Sequence, residues 1–291
     1  MTIAITGASG QLGTSTVNFL LERVKPGEIV AISRDPSKLA AVAKKGAQVR
    51  AGDFAKPETL AAAFAGIDKL LIIPTSDMEP GKRSQQHLAA VKAAAAAGVK
   101  HAVYISMVGV YPHSHDIVSS HFATEQALIA SGMPWTFIRM NMFAENFLRS
   151  AAQVIASGVY ATASSVPVAY VVRDDIARLA AAVLATAGHE YMTYHATGPV
   201  AATPAEIAET LTRVVGKPIK AVEITDEQFR KGAAAAGMPG IYIDALAALG
   251  EATRKGVFDL VSGDIGLIAG KKAESFLDFL TRNKAALTAA A

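Results

Sequence analysis

Gly7, Gly10 and Gly13 recur at intervals of three, directly after a short run from Thr2 to Thr6 (TIAIT) and directly before Val17, Leu20, Leu21 and Val24. The run of β-branched and small residues reads as a buried strand. The apolar positions at i, i+3, i+4 and i+7 read as one face of a helix. Strand, glycine turn and helix form the context in which a glycine triplet becomes a dinucleotide-binding signal. Glycine lets the backbone turn tightly and approach a pyrophosphate, and the helix N-terminus offers unpaired N–H groups and a positive dipole end. The spacing is G-x-x-G-x-x-G rather than G-x-G-x-x-G, so the flanking strand and helix carry the reading more than the triplet does.

A second group with chemical potential follows the next predicted strand, Glu28 to Ser33. An acidic residue at this strand end would accept hydrogen bonds from the ribose hydroxyls of NAD. Ser33 and Arg34 stand there instead, with Lys38 one turn later. Arg34 can stack on an adenine and pair with a 2′-phosphate, and Lys38 adds charge, which points to NADP(H) as the cofactor. The alternative is that both cations decorate a solvated loop and helix. Later strands end at Gly52-Asp53-Phe54, at Pro74-Thr75-Ser76 and at Ser106. Open parallel sheets bind ligands at the carboxyl ends of their strands, so Asp53, Phe54, Pro74 and Thr75 are expected adenine and ribose contacts. Ser106 is expected to face the nicotinamide region, as a partner for a substrate carbonyl or as a loop cap.

His121 lies on a helix ending near Ser131 and is expected as a catalytic candidate able to protonate a quinone oxygen; the alternative is a structural histidine. Asn141 ends a strand, Trp135 to Arg139, and is expected to orient the nicotinamide carboxamide or to serve the turn. Met140, Met142 and Phe143 read as pocket wall. His113, His115 and Asp116 look like metal ligands in isolation but lack a further cluster nearby, so no metal site is expected.

The elements that must position these residues alternate regularly. Further strands are predicted at Ala47 to Ala51, Lys69 to Ile73 and His101 to Ser106, with helices at Pro57 to Gly66 and Arg83 to Ala97. This alternation is that of a doubly wound parallel sheet. The predicted fold is α/β, a Rossmann-type doubly wound parallel sheet with a smaller C-terminal α/β substrate region. The expected domains are residues 1–150 for NADP(H) and 151–291 on the substrate side, partly interwoven. In the latter, helices are predicted at Arg173 to Ala187, from the Thr203-Pro204-Ala205-Glu206 capping box to Val215, twice within 226–254, and at Glu274 to Leu287. Short strands are predicted at Tyr191 to Ala196 and Ile219 to Ile224.

Composition narrows the function classes. The 291 residues carry 28 Lys+Arg against 25 Asp+Glu, a net charge of +3, which gives no footprint for nucleic acid. The absence of cysteine excludes disulfides, thiolate zinc sites and thiol catalysis. A strand starting at Thr2 leaves no room for a signal peptide, and no apolar run is long enough to span a bilayer; the expected location is cytoplasmic, without membrane association. Self-association into a homodimer is left open.

Thr6-Gly7-Ala8-Ser9-Gly10-Gln11-Leu12-Gly13, Arg34 after the second strand and Gly98-Val99-Lys100-His101 carry a family resemblance. So do His121-x-x-Thr124-Glu125, Arg139-x-Asn141 and Glu145-Asn146. The chain resembles the atypical short-chain dehydrogenase/reductases of the NmrA-like branch, among them bacterial NADPH-dependent quinone oxidoreductases and triphenylmethane-dye reductases. The likeness covers nearly the full length and weakens after about residue 225. It implies that Gly7, Gly10, Gln11 and Leu12 hold the pyrophosphate, with Ser9 among the cofactor-binding residues, and that Arg34 contacts the 2′-phosphate. It also implies that Asn141, Met142, Phe143 and Glu145 lie on the nicotinamide side. Ketone-reducing relatives use a Tyr-x-x-x-Lys pair in which the tyrosine protonates the developing alkoxide. No tyrosine here has a lysine four residues on, and the matching helix carries His121 and Glu125. An isolated ketone is therefore a poor substrate. A quinone, whose product is a resonance-stabilised hydroquinone anion, or a cationic dye remains a good one. The same absence suits a redox sensor that binds NADP(H) without turnover. Reduction of an aromatic metabolite's double bond, as in isoflavone-reductase relatives, would call for a catalytic lysine that position 125 lacks.

Overall fold

The computed structural model describes residues 1–110 and 116–289. From the first residues the chain alternates β1 (Ile3–Ile5), α1 (Gln11–Leu21), β2 (Ile29–Ser33), α2 (Ala40–Lys44), β3 (Gln48–Ala51), α3 (Leu60–Phe64), β4 (Lys69–Ile72), α4 (Lys82–Ala96), β5 (His101–Met107), α5 (Asp116–Ala130) and β6 (Trp135–Met140). It continues through α6 (Glu145–Leu148), α7 (Ala151–Ser157), β7 (Val159–Thr162), α8 (Arg173–Ala185), β8 (Met192–Ala196), α9 (Pro204–Val215) and β9 (Lys220–Glu223). Five helices finish it: α10 (Asp226–Ala235), α11 (Gly240–Arg254), α12 (Asp264–Ala269), α13 (Phe276–Arg282) and α14 (Lys284–Ala289).

The chain divides into two compact units. The first holds Met1–Met140, Ile176–His195 and Ile268–Gly270; the second holds Asn141–Asp175, Ala196–Leu267 and Lys271–Ala291. The boundary expected at residue 150 falls inside the second unit, because the chain leaves the sheet at the end of β6 and returns to it after residue 175.

The first unit is built on a seven-stranded sheet of order β3-β2-β1-β4-β5-β6-β8. β1 pairs in parallel with β2 (Ile3 opposite Ile29) and with β4 (Ile3 opposite Lys69), and β4, β5 and β6 follow in parallel register. Every residue of β1, β2, β4 and β5 is buried, as strands covered on both faces must be. On one face, α4 presents His87, Ala90, Val91 and Ala94 to a core that includes Tyr104, Leu128 and Phe137. β4 opens on the buried Lys69, whose Nζ donates to the carbonyls of Val183 and Thr186 at the end of α8. A cation there meets the negative end of the helix dipole, and burial pushes the lysine's pKa down.

The second unit has a two-stranded parallel ribbon, β7 with β9, in which Val159 is opposite Lys220. Its core gathers Phe147, Ile155, Ile207, Leu211, Phe276 and Leu280. Thr203 and Glu206 form the reciprocal capping box that starts α9. The tail from Glu274 is two helices rather than one, because the Asn283 amide turns back to the Phe279 carbonyl at 2.8 Å and closes α13. β7, with its exposed and half-buried residues alternating over only four positions, has too short a period to be recognised from sequence.

Candidate functional site

β1 and β4 are neighbours while their connections run to opposite sides, so the strand order reverses between them; open sheets bind ligands at the carboxyl ends flanking such a point. The chain leaves β1 through Gly7, which sits at φ +62°, and Gly10 N donates to Gly7 O at 2.9 Å to close the turn. α1 then starts so near the turn that a Cβ on Gly13 would overlap the Gly7 carbonyl and come within 2.7 Å of the Ala8 Cα. Gly10 gives no side-chain cap, and the first turn of α1 carries no acid. The N–H groups of residues 11–13 are thus left for a ligand to satisfy.

At this end of the first unit lies a 690 Å³ cavity. Gly7, Ser9 and Gly10 line it on one side, Arg34 and Lys38 on another, and Asp53, Phe54, Pro74 and Thr75 on a third. Gln11 and Leu12 do not line it: Gln11 is exposed at the start of α1, and the Leu12 side chain packs inward. The sequence reading missed Ser76, Asp77, Lys82 and Gln86, which continue the wall beyond Thr75. Their one sequence signal is that they follow the carboxyl end of β4.

The carboxylates near this cavity are engaged. Asp35, next to Arg34, folds back to accept from Ser37 N at 3.1 Å and Ser37 Oγ at 2.6 Å, bonds that hold its pKa below the usual range. Asp53 accepts from Ala55 N at 3.0 Å. Asp77 takes Glu79 N at 3.1 Å and Gln86 Nε2 at 3.0 Å and stands 3.6 Å from Lys82 Nζ. Arg34 and Lys38, by contrast, are exposed at the cavity wall.

Behind Thr75 is a hydrogen-bonded network in which the half-buried Thr75 and Arg83 meet the buried His87, Tyr104, His121 and Thr124. Thr75 N donates to His87 Nε2 at 3.0 Å, which puts the proton of that neutral imidazole on Nδ1, 3.0 Å from Thr124 Oγ1. Thr124 in turn donates to Ser120 O at 2.6 Å. Arg83 donates to the Thr75 carbonyl, and its second terminal nitrogen lies 3.2 Å from His121 Nε2. A guanidinium can only donate, so His121 accepts at Nε2 and gives its Nδ1 proton to Tyr104 Oη at 2.9 Å. Burial, with Arg83 adding to it, drives His87 down to about 3 and His121 well below its ordinary range. His121 is only 1% exposed, and both of its ring nitrogens are committed.

Ser106 and Glu125 are also inside. Ser106 Oγ donates to Glu125 Oε1 at 2.5 Å, and Arg139 grips both carboxylate oxygens, at 3.0 and 2.6 Å. Position 125 thus holds a buried carboxylate paired with the half-buried Arg139, and the Ser106 hydroxyl proton is spent on it.

In the second unit, Asn141 Oδ1 accepts from Met142 N at 2.7 Å and its Nδ2 donates to Phe258 O at 3.0 Å. Glu145 Oε1 accepts from Arg173 N at 2.9 Å, while its buried Oε2 accepts no hydrogen bond and is ion-paired with Arg173 Nη1 at 4.0 Å. The Arg173 guanidinium lies 4.7 Å over the Phe143 ring. Met142 and Phe143 line a 310 Å³ cavity of this unit, whose wall is mostly aromatic and aliphatic. His113 and His115 lie outside the described residues, as does the Asp116 side chain; among the described residues no cluster could hold a metal ion. No helix among them is long and apolar enough to cross a membrane.

A family described as NAD(P)H-binding matches residues 7–187. The chain is 36% identical to quinone oxidoreductase 2 of Escherichia coli over 259 residues, 88% of this chain and 90% of that protein. Its structure is similar to that of the E. coli NADPH-dependent quinone oxidoreductase in complex with NADPH, with a TM-score of 0.91 and 33% identity, covering 97% of this chain and 99% of the other. It is equally similar in sequence, at 33%, to the Citrobacter sp. triphenylmethane reductase complexed with NADP(H), with a TM-score of 0.88 over the full length of both chains.

Proposed function

We propose, from the premise that this chain belongs to the NAD(P)H-binding family, that it is an NADPH-dependent reductase passing hydride to a quinone or a similar electron-poor aromatic acceptor. The observation that carries the reading is the placement of Arg34 and Lys38 at the wall of a nucleotide-sized cavity whose neighbouring carboxylates are bound elsewhere. A guanidinium and an ammonium in that position suit a 2′-phosphate, which NADP carries and NAD lacks. Similarity to a quinone oxidoreductase seen with NADPH and a triphenylmethane reductase seen with NADP(H) supports both cofactor and acceptor.

When bound, NADPH supplies the hydride; the rest of the work is positioning. The backbone of Gly7 and Gly10 and the free N–H groups of residues 11–13 take the pyrophosphate, which brings in Gln11 and Leu12 through their amides alone. Ser9 stands beside them, its Oγ 2.8 Å from Ser33 Oγ. Asp53, Phe54, Pro74 and Thr75 frame the adenine and ribose. The residues the family resemblance puts on the nicotinamide side are Asn141, Met142, Phe143 and Glu145. Glu145 Oε2, which accepts no hydrogen bond and is ion-paired with Arg173 Nη1 at 4.0 Å, is the acceptor we assign to the nicotinamide amide, with Asn141 fixing the Met142 backbone. Ser106 and His121 spend their polar atoms within the protein, which suits an acceptor whose reduced form needs no protein acid. NADPH as reductant implies the cytoplasm as compartment and a small molecule as partner.

The test follows NADPH and NADH absorbance separately with benzoquinone and menadione, after subtracting the uncatalysed rate. NADPH-preferring turnover is expected. Tight NADPH binding with no turnover on either acceptor would replace the reductase by a sensor.

A further inference from the structure

Past β4 the chain runs through Ile73, Pro74 and Thr75, and most of its backbone polar groups there are held from behind. Ile73 N donates to Thr6 Oγ1 at 2.9 Å. Thr75 N donates to His87 Nε2 at 3.0 Å, and the Thr75 carbonyl accepts from Arg83 Nη1. Thr75 Oγ1 accepts from Asp77 N at 3.3 Å, which steadies the next turn. Both side chains that grip the Thr75 backbone come from the first two turns of α4. His87 is fully buried, and neither it nor Arg83 lines the 690 Å³ cavity.

The Pro74 carbonyl is left over. Pro74 has no N–H, and among the described residues nothing donates to its oxygen. No peptide bond among them is cis, so the carbonyl of residue 74 points opposite to the N–H of residue 75. With that N–H turned in to the buried His87, the Pro74 oxygen is turned out, and Pro74 and Thr75 are both cavity wall. Elsewhere the wall offers Arg34, Lys38 and Lys82 as donors, while Asp53 and Asp77 already accept from Ala55, Glu79 and Gln86. A dinucleotide brings phosphates, which such donors match, and ribose hydroxyls, which need acceptors.

His87 is suited to hold this peptide. Its Nδ1 proton goes to Thr124 Oγ1 at 3.0 Å, which leaves Nε2 bare. Burial lowers its pKa to about 3, so the ring is neutral and Nε2 remains an acceptor throughout the neutral range.

We propose that His87 is a positioning residue for the cofactor: it holds the Thr75 N–H while Arg83 holds the Thr75 carbonyl, and the Pro74 oxygen is thereby set to accept from a ribose hydroxyl of NADPH. The inference rests on the reading of this cavity as the NADPH site. His87 itself touches neither cofactor nor acceptor and moves no proton. Ribose hydroxyls are common to NADPH and NADH, so its effect falls on both cofactors alike, unlike that of Arg34.

The test compares the full-length protein with H87N and H87Q. Asparagine places its amide near the position of Nδ1, in reach of Thr124, but stops short of Thr75; glutamine reaches Thr75 and presents a carbonyl oxygen to it. NADPH and NADH affinities are measured by fluorescence titration, kcat and KM with menadione, and Tm by thermal unfolding. H87N is expected to weaken both cofactors by the same factor, about 3- to 10-fold, the range for one neutral hydrogen bond. The loss should appear in the cofactor KM, with kcat within about twofold. H87Q is expected to recover most of the affinity even where its Tm is lowered. A lower Tm in both variants with both affinities unchanged makes His87 a core residue only and overturns the proposal; so does a loss confined to NADPH. A wild-type protein that binds neither cofactor removes the cofactor reading and this inference with it, whereas unchanged H87N affinity beside a binding wild type removes the inference alone. Should H87N not fold, hydrogen exchange at the wild-type Thr75 amide decides: protection already present without NADPH upholds the clamp, and free exchange overturns it.

Discussion

Arg34 and Asp35 are adjacent and oppositely charged, and the fold uses them differently. Asp35 caps its own turn through Ser37, while Arg34 is presented at the cavity. R34A is expected to raise KM for NADPH by about 10- to 100-fold and leave KM for NADH nearly unchanged, as steady-state rates with each cofactor will show. Equal effects on both would remove the 2′-phosphate assignment. At Glu125 the expected loss is in stability. E125A strips the buried partner from Arg139 and leaves the Ser106 hydroxyl without its acceptor. Breaking a buried pair costs about 3–5 kcal/mol, and the half-exposed Arg139 can rehydrate, so about 2–3 kcal/mol is expected in urea unfolding.

At the scale of elements, the turn between β1 and α1 tolerates no side chain at its third glycine. G13A must push α1 away from the Gly7 carbonyl, which separates the free N–H groups from the pyrophosphate. Overpacking of this kind costs about 1–3 kcal/mol, and NADPH affinity should fall with Tm. A folded G13A with wild-type NADPH affinity would show that the pyrophosphate binds elsewhere. The network formed by Thr75, His87, Thr124, Tyr104, His121 and Arg83 joins the end of β4 to α4, α5 and β5. In it His121 is a tie between elements. H121Q is expected to lower Tm and to leave the pH profile of kcat for menadione between pH 6 and 8, flanking the ordinary histidine value of about 6.5, without a lost titration.

For the whole molecule, the buried histidines of the first unit set the acid limit, and His121 and His189, also lowered by burial, act in the same direction as His87 and His101. Burial lowers His87 to about 3 and His101 to about 4. Both values lie below that of an unfolded histidine, about 6.5, so between those limits the unfolded chain binds more protons than the folded one. Their stabilising contribution is complete above pH 6.5 and is lost as pH falls, by up to about 1.4 kcal/mol per unit for each group. Urea unfolding at a series of pH values from 7 to 4 should show this decline, and H101Q should make it shallower. Cofactor binding works in the opposite direction. NADPH at about 100 times its Kd should stabilise the protein by about 2.7 kcal/mol, and NADH at the same concentration by less; in R34A that difference should vanish.

Much of this was legible in the chain because it depends on local pattern. The strand, glycine turn and helix of residues 2–24, the alternation that builds the parallel sheet and the arginine at the end of β2 are all written within a few residues of one another. The absent Tyr-x-x-x-Lys pair, on which the expectation of a quinone rather than an isolated ketone rests, is likewise a matter of spacing. What the tertiary structure decided is where polar protons go. Ser106, His121 and Asn141 have the right types and positions for chemistry, yet their partners are Glu125, Tyr104 and Phe258, brought to them by packing across elements. Tyr160 on β7 and Tyr170 on the following loop likewise line one cavity, where Phe147 and Phe276 pack against their rings. Periodicity encodes which face of an element is buried. A hydrogen-bond partner far along the chain is fixed by three-dimensional packing, and no short-range pattern specifies it.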